Sequence, residues 1–184
     1  MNLRQQAAAR TRAALIDTGL RLTERVGLAA LSVNALVAEL GVSKGVFFHH
    51  FGTRAGYLLA LHREFHDRLE TALEAAIADH RPGPDRLLAG SYAYLDACLR
   101  DRGVKALLLE ARAEPAIVEE VQSRNARSAT LAEADFRAMG WRHPADGARL
   151  WVAMVAETAL LELTTGPRPQ TRDALRQFTI RPAH

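Results

Sequence analysis

Ser32, Gly41 and Ser43 divide residues 32–49 into two short helices and one tight turn, a local pattern that few folds accommodate. Ser32 can cap a helix whose apolar positions Val33, Leu36, Val37 and Leu40 recur at 3.6-residue spacing. Gly41 then ends that helix, because glycine takes a positive φ without steric cost. Ser43 caps a second helix, with Val42 left to tuck between the two. A helix, a three- to four-residue turn containing glycine and a second helix make up the helix-turn-helix pattern. In that motif the N-terminal residues of the second helix enter the DNA major groove.

The surrounding sequence is similar in detail to one family. Gly41-Val42-Ser43-Lys44-Gly45, then Val46-Phe47-Phe48-His49-His50-Phe51, then Gly52-Thr53-Arg54, resembles the DNA-binding signature of the TetR family of bacterial transcriptional regulators. The likeness covers roughly residues 10 to 58; beyond it the chain matches in length and all-helical character. The family usually has tyrosine where Phe48 stands, Ile-Ala at Leu36-Val37, lysine at Arg54 and leucine at Tyr57. Arginine for lysine keeps the charge and adds a fork suited to phosphate. Phe48 removes a hydroxyl that would reach a phosphate.

Periodicity and breakers predict an all-α fold. The expected helices are about 5–26, 33–40, 44–49, 53–80, 85–100, 104–111, 115–139, 145–163 and 171–178. The first carries Ala9, Ala13, Ile16 and Leu20 on one face and is ended by Gly27. The fourth, capped by Thr53, is apolar at Leu58, Leu61, Phe65, Leu69, Leu73 and Ile77. Arg81-Pro82-Gly83-Pro84 is the strongest breaker in the chain. The resulting expectation is a helix-turn-helix head over residues 1–52 and a helical ligand-binding and dimerisation body over 53–184. A long helix joins them.

Charge divides along the same line. Residues 1–60 hold seven Lys+Arg against three Asp+Glu, a net +4, and residues 61–184 hold seventeen against eighteen, a net −1. A basic head on a near-neutral body fits binding of phosphate by the head and of something else by the body. The single cysteine rules out an intramolecular disulfide, and no signal peptide or membrane span is apparent, so a cytoplasmic protein is expected.

The DNA-contacting residues expected are Ser32, Ser43, Lys44, Gly45, Val46, Phe47, Phe48, His49, His50 and Arg54. Lys44 can donate to guanine or phosphate, and Val46 or Phe47 can press on thymine methyls. The resemblance gives Phe47 the alternative of packing inward. His50, Arg54 and backbone amides at helix starts would hold phosphates and fix register. Phe51 is expected in the core.

Helix 145–163 is apolar in nearly every direction, which implies burial on most sides. One face on its own core and another on a second subunit satisfies that demand, and so does a central place in a monomeric bundle. The resemblance implies the first, a homodimer built from the last two long helices. It also implies a small-molecule effector among the middle helices, of unknown identity. Candidate lining residues are Phe65, Tyr92, Tyr94 and Cys98, with Leu108, Trp151, Met154 and Glu157. The same residue types also make an ordinary core.

His62 and His66 have a spacing that can chelate a metal, but no third ligand is evident, and neither a metal nor a cofactor is expected. Catalysis is not expected either: no Gly-rich phosphate loop, nucleophile with a base, or carboxylate cluster is present. The resemblance implies the expected function, a repressor that binds a palindromic operator in double-stranded DNA as a dimer and is released by its effector. The alternative is a helical dimeric interaction module in which Phe48 reflects lost or altered DNA binding.

Overall fold

The computed structural model describes residues 2–26, 31–100 and 115–180. Among them are eight helices and no strand: α1 (Leu3–Val26), α2 (Val33–Leu40), α3 (Lys44–Phe51), α4 (Arg54–Ile77), α5 (Pro84–Arg100), α6 (Pro115–Ala138), α7 (Pro144–Thr165) and α8 (Pro169–Gln177). The all-α expectation holds. Gly27, the helix expected over 104–111 and its Leu108 lie outside the described residues. No helix among the described residues is long and apolar enough to cross a membrane.

Most helix ends fall where local chemistry puts them. The Ser32 hydroxyl accepts from the Ala35 amide (3.1 Å) and that of Ser43 from the Val46 amide (3.3 Å), so both short helices start on side-chain caps. Gly41 closes α2 at φ 69°, and the Val42 amide donates to the Val37 carbonyl across 3.0 Å. This left-handed closure returns two amides to the last turn and needs glycine at its centre. Pro144 and Pro169 open α7 and α8 slightly before the positions periodicity suggests, because proline suits a first turn whose amide has no partner.

The described residues divide into two compact units, residues 2–26 and 31–67 with 115–118, and residues 68–100 with 119–180. In the first, α1 packs on α2 and α2 on α3. Its core gathers Leu15, Ile16 and Leu20 of α1, Leu36 and Val37 of α2, Phe47 of α3, and Tyr57, Leu58, Leu61 and Phe65 of α4. The face of α1 differs from the expected stripe: Ala9 and Ala13 are exposed, and burial begins at Leu15. Alanine periodicity misleads there, because a methyl group is too small to tell a packed face from a helix-favouring solvent face.

The second unit packs α5 against α7 and α7 against α8. Leu87, Leu95 and Cys98 of α5 and Trp151, Val155 and Ala159 of α7 are buried in its apolar interior. Three arginines tie its helices together. Arg86 grips Asp135 through two nitrogens (2.7 and 3.1 Å), and Asp135 also accepts the Gly83 amide, fixing the breaker that precedes α5. Arg124 reaches Glu70 at 2.8 Å and Glu120 at 2.9 Å. Arg172 of α8 clasps the fully buried carboxylate of Glu162 (2.8 and 2.7 Å) and also reaches Asp96 of α5.

Candidate nucleic-acid interface

Eight residues of α3 sort into an inner and an outer face. Phe47 is wholly buried, its ring centroid 5.0 Å from that of Tyr57 and 5.3 Å from those of Phe48 and Phe51. Lys44, Gly45, Phe48 and His49 are exposed, with Val46 and His50 half-buried. Phe47 is therefore corrected from contact to core: a side chain without solvent access cannot press on a thymine methyl. Its inward packing, the alternative raised by the resemblance, anchors α3 to the head. Phe51 also packs toward Tyr57, their centroids 4.8 Å apart.

The remaining expected contacts stay on the surface. Ser32 and Ser43 are exposed caps; each oxygen accepts a backbone amide, and the hydroxyl proton is left to donate. Arg54 is exposed at the start of α4, where Thr53 accepts the Gly56 amide (3.0 Å). An atom added at Gly56 would stand 2.3 Å from the Phe51 carbonyl, so this glycine lets α4 leave directly from the end of α3. The signal was present in the sequence as a second glycine after Gly52, yet spacing alone does not reveal the close approach.

The outer face of α3 carries Lys44 and His49 and has no acidic neighbours in sequence. The three carboxylates of the first sixty residues are Asp17, Glu24 and Glu39, and Glu39 pairs with Arg25 at 3.3 Å. None lies on α3 or on the residues that flank it. The His50 imidazole is held below its ordinary value of 6.5, first by desolvation and then by the nearby charges of His49 and Arg12. Arg12 stands over the Phe51 ring, its guanidinium carbon 5.4 Å from the centroid. Sequence reasoning left Arg12 out, since nothing in the local pattern of α1 connects it to α3.

Tyr57, a departure from the family's leucine, is buried and donates its hydroxyl to the Leu15 carbonyl at 2.8 Å. Burial raises its pKa, so the hydroxyl stays protonated and remains a donor.

The residues proposed to line an effector pocket separate into different settings. Phe65 is buried in the first unit. In the second, the Trp151 indole donates to the Ser91 hydroxyl (2.9 Å), which donates to the Leu87 carbonyl (2.7 Å). The half-buried Tyr92 donates to the Arg172 carbonyl at 3.2 Å. The polar tips of both aromatic residues are thus engaged within the fold. Cys98 is a buried thiol, Tyr94 and Met154 are half-buried, and Glu157 is exposed. Glu157 reaches solvent, and the buried carboxylate of α7 is Glu162. Arg172 and the Arg168 amide both donate to Glu162, and together they hold it below the ordinary carboxylate range despite burial.

His62 is buried, its ring centroid 4.4 Å from that of the half-buried His66. Among the described residues no group of three His, Cys, Asp or Glu side chains could hold a metal ion.

Comparison with known proteins bears on the head and on the fold. Residues 15–61 match the profile of the family described as bacterial regulatory proteins, tetR family. The fold is similar to that of a transcriptional regulator from Rhodococcus sp. Rha1, with TM-score 0.77 and 23% identity over 90% of this chain and 92% of that one. It is also similar to the multidrug binding protein EbrR complexed with imidazole, with TM-score 0.76 and 24% identity over 95% and 93%. A TetR-like transcriptional regulator from Rhodococcus sp. RHA1 gives 0.71 and 18% over 91% and 92%. No curated protein matches the chain in sequence. The expected resemblance holds: residues 15–61 match the TetR-family profile, and the fold as a whole is TetR-like.

Proposed function

We propose that this chain, a transcriptional regulator of the TetR family, acts in the cytoplasm as a homodimeric repressor that reads a palindromic operator with α3. The observation that carries this reading is the division of α3. Phe47 locks one side into the head, while Lys44, Phe48 and His49 face outward in a stretch free of carboxylates. Such a helix can lie against DNA without breaking its own core. Lys44 and Val46 supply base contacts, and His50, Arg54 and the two cap hydroxyls hold phosphates. Residues 1–52 then read DNA, and residues 53–184 dimerise and bind the effector.

Two heads are required because a palindrome presents two half-sites, ~34–36 Å apart or a multiple of that distance. Leu131 of α6 and Leu150 of α7 are half or more exposed, at 50% and 65%. Covering those apolar side chains with a second copy is favourable at roughly 25 cal/mol per Å². The likeness to EbrR, which is described as binding multiple drugs and was seen with imidazole, supports a small organic effector. An effector that binds better to one spacing of the heads shifts the dimer toward that spacing, by no more than its differential affinity. Release from the operator follows if that spacing mismatches the half-sites.

Selection of bound fragments from genomic DNA tests the proposal. The expected result is one enriched inverted repeat; no enrichment above input contradicts it and favours an interaction module lacking DNA recognition.

A further inference from the structure

We propose that Arg12 of α1 is an additional phosphate-contacting residue of the DNA face, held in place by the Phe51 ring and acting beside His50. This inference rests on the DNA-binding reading above and adds a contact from a helix outside the helix-turn-helix. Arg12 is exposed, and its guanidinium carbon lies 5.4 Å from the Phe51 centroid. The Phe51 ring is in turn 6.2 Å from that of His50 on the same helix. One aromatic ring at the end of α3 therefore has a permanent cation beside it on α1 and a titratable one beside it on α3.

The chemistry of that arrangement favours an anion with several oxygens. A cation–π contact orients the guanidinium yet needs none of its five donors as conventional hydrogen bonds. Among the described residues no carboxylate pairs with Arg12, in contrast to Arg25, which holds Glu39 at 3.3 Å. The charge of Arg12 already bears on His50, opposing its protonation. Two basic groups placed together without a carboxylate repel each other, and a phosphate set against both reverses that repulsion. The planar fork of arginine suits phosphate geometry, and fixing it on a ring lowers the ordering cost of the contact.

Phosphate contacts lower affinity on all sequences alike when removed and reduce the salt dependence, which a merely structural clamp on Phe51 does not do. The test titrates the full-length protein against its selected genomic fragment over a range of salt concentrations. Arg12→Gln is expected to weaken binding about tenfold and, with two heads engaged, to lower the log–log salt slope by about 1.8. Arg12→Lys retains the charge and is expected to keep the wild-type slope. Should the glutamine variant fail to fold, Arg12→Met, with an apolar stem for the same ring, gives the same reading. A wild-type slope in a folded Arg12→Gln or Arg12→Met variant overturns the inference and leaves the DNA reading standing. Wild-type protein that binds no fragment overturns both.

Discussion

The hydroxyl of Tyr57 occupies the space that a side chain at Gly19 would need. An atom added at Gly19 would lie 1.9 Å from that oxygen, which donates to the Leu15 carbonyl one helical turn earlier. A large residue on α4 and a missing one on α1 are thus complementary, and the pair sets how closely the two helices approach beneath Phe47. Gly19→Ala is expected to destabilise the head by about 1–3 kcal/mol through overpacking, although alanine favours a helix. Tyr57→Phe removes the clashing oxygen and should recover much of the loss. Thermal denaturation of the two single variants and the double variant checks this; strictly additive effects would refute the complementarity.

Glu162 gives the second unit an acid-sensitive joint. Its folded value lies below its ordinary 4.5. The stabilisation is therefore complete above about pH 4.5 and lost as pH falls through the lower folded value. Glu162→Gln removes the buried partner of Arg172, which keeps its ion pair with Asp96, and is expected to cost about 1–3 kcal/mol. Melting temperatures measured from neutral to acid pH should fall more steeply for the wild type than for the glutamine variant. Parallel curves would show that Glu162 does not carry the acid sensitivity.

His50 makes DNA affinity depend on pH in the opposite sense to fold stability. Its free imidazole sits below 6.5, with His49 and Arg12 as its charged neighbours. Protonation is disfavoured in the free head, so this group lowers stability as pH falls through 6.5 toward the folded value. Operator phosphates favour the imidazolium, so affinity should rise as pH falls through the same range. His50→Gln is expected to flatten the affinity–pH curve. A variant that retains the wild-type curve would assign the proton elsewhere.

Phe48 stands 46% exposed on the outer face of α3. Phe48→Tyr should leave stability unchanged and hold or raise operator affinity, by up to about tenfold if the new hydroxyl reaches a phosphate. Quantitative gel shifts measure this. A marked loss would mean that DNA meets the apolar ring itself.

The parts of this architecture that the sequence discloses are those with local causes. Ser32, Gly41 and Ser43 act within four residues of themselves, so both short helices and their turn could be read directly. The inward and outward sides of α3 could not, because Phe47 and Phe48 are chemically identical and Tyr57 decides between them. Arg12 beside Phe51 and Tyr57 against Gly19 join distant segments, which no single-helix period reveals. Glu157 lies among apolar neighbours in α7, yet it is exposed. Burial fell instead on Glu162, whose partner Arg172 lies beyond a proline-containing turn. A buried charge follows its counter-ion more than its neighbours in sequence.

The central claim, that the outer face of α3 reads DNA, is tested most directly by operator affinity in a protein lacking both Lys44 and His50. Lys44→Ala/His50→Ala leaves Phe47, Phe51 and Tyr57 in place, so the head should stay folded and circular dichroism should be unchanged. Titration of the selected fragment is predicted to show specific binding abolished and a shallower salt dependence for the residual binding. Wild-type affinity in the folded double variant would contradict the account and place the DNA-reading surface elsewhere.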